Sequence, residues 1–268
     1  MKRQPVVAGQ FYAGNADRLR HDLEQLVPQR PAKPRTVTGI IAPHAGYVYS
    51  GAIAGSLYAE ITIPDTALII GPNHRGRGAG AALYPDGEWQ TPLGAVPISS
   101  RLNSLMLEHV PFVRMDSEAH EQEHSLEVQV PFLQYLHPVI SISALCLGHG
   151  DFEAISMIGA GVAEAIKAFN SPVLVVASSD MTHYETADSA RRKDSLALER
   201  IKNFDPEGLL EVCQKERITM CGAVPAAVLL VAARELGCCH TDLVAYGTSG
   251  DVTGDNRQVV GYASVAIW

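Results

Sequence analysis

One construction recurs along this chain and restricts its fold more than any other feature. A short, uninterrupted apolar run leads into small or turn-forming residues and then a histidine. It occurs at Thr36–His44 (TVTGIIAPH), Thr66–His74 (TALIIGPNH) and Pro172–His183 (PVLVVASSDMTH), and more weakly at Ile140–His149 (ISISALCLGH). Runs of Val, Ile and Leu without polar alternation suit strands covered on both faces, as in parallel sheets. Between the runs lie helical patterns. Asn15–Leu26 has apolar positions Ala16, Leu19, Leu23 and Leu26 behind an Asn15 N-cap, and Phe152–Phe169 is strongly amphipathic. Gly51–Glu60, Ser125–Leu136 and Ala223–Glu235 read as further helices.

Strands alternating with helices predict an α/β fold with a largely parallel central sheet flanked by helices. Arg75–Gly94 reads as loop with short antiparallel strands, and VVGYASVAIW at the end as a strand with one more exposed face. No linker or composition shift divides the chain, so residues 1–268 are expected to form one domain. In such sheets ligands bind beyond the carboxyl ends of the strands. Each histidine of the repeated construction is therefore expected at that edge.

Composition narrows the partners. With 47% hydrophobic residues the chain can bury a large core, and its net charge of −8 lacks the basic footprint of a nucleic-acid binder. The N-terminus has no apolar signal region. The longest apolar run, Ala223–Ala233, is too short to cross a bilayer and contains Pro225. Five cysteines, odd in number and without C-x-x-C pairing, speak against a disulfide scaffold and fit a cytoplasmic protein. Cys238-Cys239 reads as part of a buried strand approach.

His44, between Pro43 and Gly46, and His74, after Gly71-Pro72-Asn73, share one construction. Imidazoles from adjacent strand ends can converge on Zn, Fe or Cu, although a single histidine of this kind is more often a packing residue. Asp180 and His183 lie in one turn, where the carboxylate can orient an imidazole or act as a base; the plainer reading is a helix cap. Cys221 precedes a helix whose dipole favours the thiolate. The alternative there is a small buried apolar residue. His120-Glu121-Gln122-Glu123-His124 matches the zinc-protease pattern H-E-x-x-H, which requires an established helix. Apolar periodicity starts only at Leu126, so a metalloprotease is disfavoured, and the segment is expected to line the pocket through His124 or Glu127. There is no nucleotide-binding glycine motif and no G-x-S-x-G.

Taken together the motifs resemble the Memo family, known in prokaryotes as AmmeMemoRadiSam system protein B. The resemblance rests on PVVAGQFY at 5–12, PHAGYVYSG at 43–51, GPNH at 71–74 and WQTPLG at 89–94. EHSLEVQVPFL at 123–133, SSDMTHY at 178–184, MCG at 220–222 and SGDVTGD at 249–255 complete it. The family is similar to the catalytic subunit of class III extradiol dioxygenases, non-haem iron enzymes with an α/β fold. That likeness implies His44 and His74 as metal ligands, Cys221 in place of a carboxylate ligand, His183 as acid/base and Asp180 beside it. Tyr47, Tyr49, His124 and Glu127 are then expected to contact substrate.

A His/His/Cys set is softer than two histidines and a carboxylate, so copper or zinc suits it as readily as Fe(II). The expected function is a metal-dependent redox enzyme using Fe(II) or Cu, with Zn possible, on a small molecule or peptide. The resemblance also implies a functional link to a radical-SAM protein and an AMMECR-type protein. The rival reading is a non-catalytic (phospho)peptide- or ligand-binding module that reuses the pocket. Zinc hydrolysis comes third.

Overall fold

A computed structural model describes residues 1–268. At its centre four parallel strands run side by side in the order Gly39–Ala42, Val173–Ser178, Thr66–Pro72, Ser141–Leu147. Their side chains alternate between two cores. Ile41, Leu68, Ile70, Val175 and Ala177 face one, while Ile40, Ala67, Ile69, Leu174 and Val176 face the other. Burial of both faces is the physical reason these runs carry no polar alternation.

Antiparallel strands flank this parallel centre, so the sheet as a whole is mixed. On one side Val259–Ile267 pairs with Gly39–Ala42 and carries Thr241–Thr248 and His183–Glu185. On the other, Ala81–Leu83 runs against Ser141–Leu147, with Arg114–Met115 outermost. A separate small sheet joins Lys2–Arg3, Glu88–Thr91 and Gly94–Pro97. The result is a single α/β domain with helices on both faces of the sheet.

The helices follow the expected periodicity, with adjustments. Asn15 caps Ala16–Leu26 by accepting from the amides of Asp17 and Arg18, and Leu19 and Leu23 are buried. Phe152–Phe169 and Ala223–Glu235 span the expected residues. The second helix starts earlier than its pattern suggests, at Tyr47, and Ser125–Leu136 is a short 3₁₀ turn leading into Val130–Leu136. Two expectations fail. Val259–Ile267 has no exposed face, because helices Tyr47–Glu60 and Ala187–Lys202 both pack on it. Cys238 is half-buried and Cys239 exposed between a helix end and strand Thr241–Thr248, whose first residues are themselves not buried. No helix is long and apolar enough to cross a membrane.

Candidate metal centre

His44, His74 and Asp180 each stand two residues beyond the last residue of a central strand, namely Ala42, Pro72 and Ser178. Parallel register aligns Ala42 with Ser178, which sets His44 and Asp180 side by side. The His44 amide accordingly donates to Asp180 Oδ1 at 2.7 Å. The two histidine-bearing strands are not adjacent as expected; Val173–Ser178 lies between them. The imidazoles meet across its end, with ring centroids 5.3 Å apart. His149 occupies the equivalent position after Leu147, but it is exposed on the far side of the His74 strand and lines a different groove.

Hydrogen bonds fix the tautomer of both rings. The Ser178 hydroxyl donates to the Ser125 carbonyl (2.7 Å) and accepts from Gln129 Nε2 (2.8 Å). Its single proton is thus committed, so at 2.9 Å from His44 Nδ1 it must accept. His44 therefore carries its proton on Nδ1 and turns a lone pair at Nε2 toward Cys221 Sγ, 3.2 Å away. His74 Nδ1 lies 2.9 Å from Glu123 Oε1, an acceptor only, so Nδ1 carries a proton and Nε2 is the nitrogen left to ligate. Burial works against the Glu123 carboxylate, but hydrogen bonds from His74 and Ser125 hold it down at about 2. Burial, then the neighbouring imidazoles of His124 and His74, push His44 well below the ordinary histidine value and keep it neutral. Neutral rings with buried acceptors on Nδ1 are the form in which histidines ligate metals.

Cys221 reaches the pair from the loop before helix Ala223–Glu235. Gly222 permits this approach: a Cβ there would lie 2.3 Å from the Ser178 carbonyl oxygen. The Asp180 amide donates to Sγ at 3.3 Å. Burial, reinforced by the charge of Asp180, pushes the thiol above its ordinary value, so the helix dipole does not by itself yield the expected thiolate. A metal cation reverses this balance, because a coordinating thiol is deprotonated outright.

The ligating atoms of His44, His74 and Cys221 all lie within 4.8 Å of one another. Metal–ligand bonds of about 2.0–2.3 Å in a tetrahedral arrangement set roughly 3.3–3.8 Å between ligand atoms. A small closure of the trio meets that requirement, so the donor set fits a metal. His74, Glu123 and His124 form a second close group. There the Glu123 oxygens already accept from His74 Nδ1 and from the amides of His74, His124 and Ser125, so Glu123 supports His74 from behind.

Beside the trio opens a cavity of about 330 Å³, lined among others by Phe11, Tyr49, His124, Asp180, His183 and Val260. Burial pushes His124 down to about 4 and leaves it neutral. Burial raises the Asp180 carboxyl above its ordinary range. His183 Nδ1 lies 3.0 Å from the Thr219 carbonyl and so donates, leaving Nε2 free to accept. A larger groove of about 700 Å³ between helix Ala187–Lys202 and strand Thr241–Thr248 is lined by no histidine or cysteine.

The structure thus brings together His44, His74, Cys221, Asp180, His183, His124 and Tyr49. Two expected pocket residues lie elsewhere. Tyr47 is buried and donates to the Val128 carbonyl at 2.8 Å. Glu127 is buried in an ion pair with Arg3 at 2.6 Å and takes no part in the cavity. In the H-E-x-x-H segment, His120 is buried in a 3₁₀ turn with Nε2 on the Ala82 carbonyl and never joins His124 at a metal. Sequence reasoning missed Glu123, Ser178, Gln129 and Phe11. All lie inside motifs singled out above, but their roles depend on contacts across 49 to 134 positions of chain, as between Glu123 and His74 or Ser178 and His44.

The family model described as Memo-like protein matches residues 3–266. A MEMO1 family protein of Methanothermobacter thermautotrophicus is 41% identical over 277 residues, covering 99% of this chain and 100% of its own. Another, from Methanopyrus kandleri, is 38% identical over 278 residues, covering 99% and 98%. An uncharacterized protein of Escherichia coli K12 shares the fold with a TM-score of 0.58 at 14% identity, over 87% of this chain and all of its own. With a family match over nearly its whole length and relatives aligned end to end, the chain belongs to the Memo family.

Proposed function

We propose that this protein is a metal-dependent redox enzyme in which His44, His74 and Cys221 hold Fe(II) or Cu. The observation that carries the reading is the convergence of three donors: the ligating atoms of His44, His74 and Cys221 lie within 4.8 Å of one another, His44 Nε2 is 3.2 Å from the thiol, and Nδ1 of each ring lies against an acceptor. Two imidazoles and a thiolate favour Cu or Fe over the hard oxygen-seeking cations, with Zn also accommodated. When bound, such a metal would supply Lewis acidity and electron transfer next to the cavity.

The chain's own groups give the cavity its remaining chemistry. His183, with Nδ1–H held by the Thr219 carbonyl, offers Nε2 as a proton acceptor. Asp180, raised by burial and tied to the His44 amide, orients that ligand and can carry a proton near neutrality. Phe11, Tyr49 and Val260 give the open cavity its apolar surface. The cavity walls carry Asp180 and include no lysine or arginine, which disfavours a phosphopeptide or other anionic substrate. A functional link with a radical-SAM protein and an AMMECR-type protein is proposed on the family resemblance alone.

Metal analysis of anaerobically purified protein tests the reading, with Cys221→Ser and His44→Ala alongside. We expect bound Fe or Cu in the wild type, lost or strongly reduced in both variants. Unchanged metal content in the two variants would refute the assignment.

A further inference from the structure

The stretch at residues 5–12 has no part in metal ligation, yet it ends at the cavity. The chain turns tightly there: the amides of Gln10 and Phe11 both donate to the Val7 carbonyl, and the Gly9 amide donates to that of Tyr12. Gly9 sits at φ 82°, a conformation that disfavours any residue with a Cβ. The turn places Gln10 and Phe11 in the cavity wall. The Phe11 ring meets His124 edge to face at 4.9 Å, and His124 in turn stacks on His74 at 4.8 Å. The Phe11 carbonyl accepts from the Tyr47 amide at 2.7 Å, joining the turn to the start of a helix.

This segment has no regular pairing of its own, so something else must hold it. That group is Glu127, the residue misplaced by sequence. Its carboxylate accepts from the Val6 and Val7 amides at 2.9–3.0 Å and from Tyr12 Oη at 2.8 Å. The same carboxylate pairs with Arg3, which donates to the carbonyls of His120 and Glu123 and lies 4.2 Å over the Trp89 ring. One buried ion pair therefore grips both the N-terminal turn and the loop that carries Glu123 and His124.

We propose that residues 5–12 form the size-selecting wall of the cavity, with Phe11 as its specificity-determining side chain and Arg3–Glu127 as the clasp that positions it. The ligand such a wall accepts is compact, flat and not anionic: Phe11 and His124 present aromatic rings, and the walls carry Asp180 but no lysine or arginine. The inference rests on the metal reading above, because Phe11 is taken to limit what can approach the metal beside His124.

The test uses full-length protein loaded with Co(II), whose thiolate absorption reports the His/His/Cys set. Imidazole and 4-phenylimidazole are titrated as probes of increasing size. Phe11→Ala should leave the Co(II)–thiolate band and the imidazole affinity within about twofold, while 4-phenylimidazole binds about tenfold tighter. Phe11→Trp should move that selectivity ratio the other way. Glu127→Gln should relax the ratio in the same sense as Phe11→Ala with the band retained, an effect that general destabilisation would not produce. A ratio unmoved by Phe11→Ala, with the band intact, overturns this proposal alone. Absence of the band in the wild type strikes the metal reading and this inference with it.

Discussion

Glu123→Gln separates a supporting residue from a ligand, and its effect can be worked from the contacts. Glu123 Oε1 accepts from His74 Nδ1, the His124 amide and the Ser125 amide; Oε2 accepts from the His74 amide at 2.7 Å. A glutamine can keep its oxygen at the first position, but its NH₂ then faces the His74 N–H, donor against donor. One buried amide loses its partner, at a stability cost of about 1–3 kcal/mol. The His74 ring loses the negative charge behind it, and removing such a partner lowers metal affinity by about 10- to 100-fold. Competition titration of metal-free protein against a Zn(II) or Co(II) chelator at neutral pH measures the loss, with His44→Ala as the ligand-deletion reference. A dissociation constant within about twofold of wild type would refute the supporting role. A loss as large as that of His44→Ala would instead make Glu123 a ligand. The folded carboxyl sits at about 2, below its ordinary 4.5, so its contribution is present above that value and fades as pH falls toward 2. The gap in urea midpoint between wild type and variant should close over that window.

Three further outcomes are expected. Arg3→Met leaves the buried Glu127 carboxylate without its cation and should cost about 3–5 kcal/mol by urea unfolding; a change under about 1 kcal/mol would deny the clasp its strength. His120 is fully buried, and burial lowers it to about 4, so the unfolded chain takes up a proton first as pH drops below about 6.5. Its stability contribution is present above that value and is lost through pH 4, by about 3 kcal/mol; His120→Asn should flatten the pH dependence by about one proton, and an unaltered slope would exclude the assignment. Gly222→Ala forces a methyl against the Ser178 carbonyl and the Ser179 side chain. Stability should fall by about 1–3 kcal/mol, and the Co(II)–thiolate band should weaken as Cys221 is pushed back; an unchanged spectrum would show that the approach tolerates a side chain.

The legible parts of this molecule were those encoded locally. Uninterrupted apolar runs announced strands buried on both faces, and the residues after them announced the edge where His44, His74 and Asp180 stand. Ala223–Glu235, with Cys221 just before it, was readable from its periodicity and Pro225. The same local logic overreached where neighbours in space decide. His149 repeats the pattern of His74 but sits beyond the strand that faces the centre. Glu123 and Glu127 lie in one motif and look equally suited to a pocket; one holds His74 and the other holds Arg3. Tyr47 and Tyr49 are two positions apart, and the helix turns the first into the core and leaves the second at the cavity.

By itself the sequence determined the class of fold and the strand edge at which His44, His74 and Asp180 stand, because strand burial, helix periodicity and turn chemistry act over a few residues; grouping Cys221 with the two histidines needed the family resemblance. Strand order, which slips Val173–Ser178 between the two histidine strands, was left to the tertiary structure. So were the proton positions on both imidazoles, which depend on Ser178, Gln129 and Glu123 arriving from distant segments. The ionisation of Cys221 belongs there too: a helix dipole favours the thiolate locally, but burial outweighs it until a cation is present, and burial is a property of the packed chain.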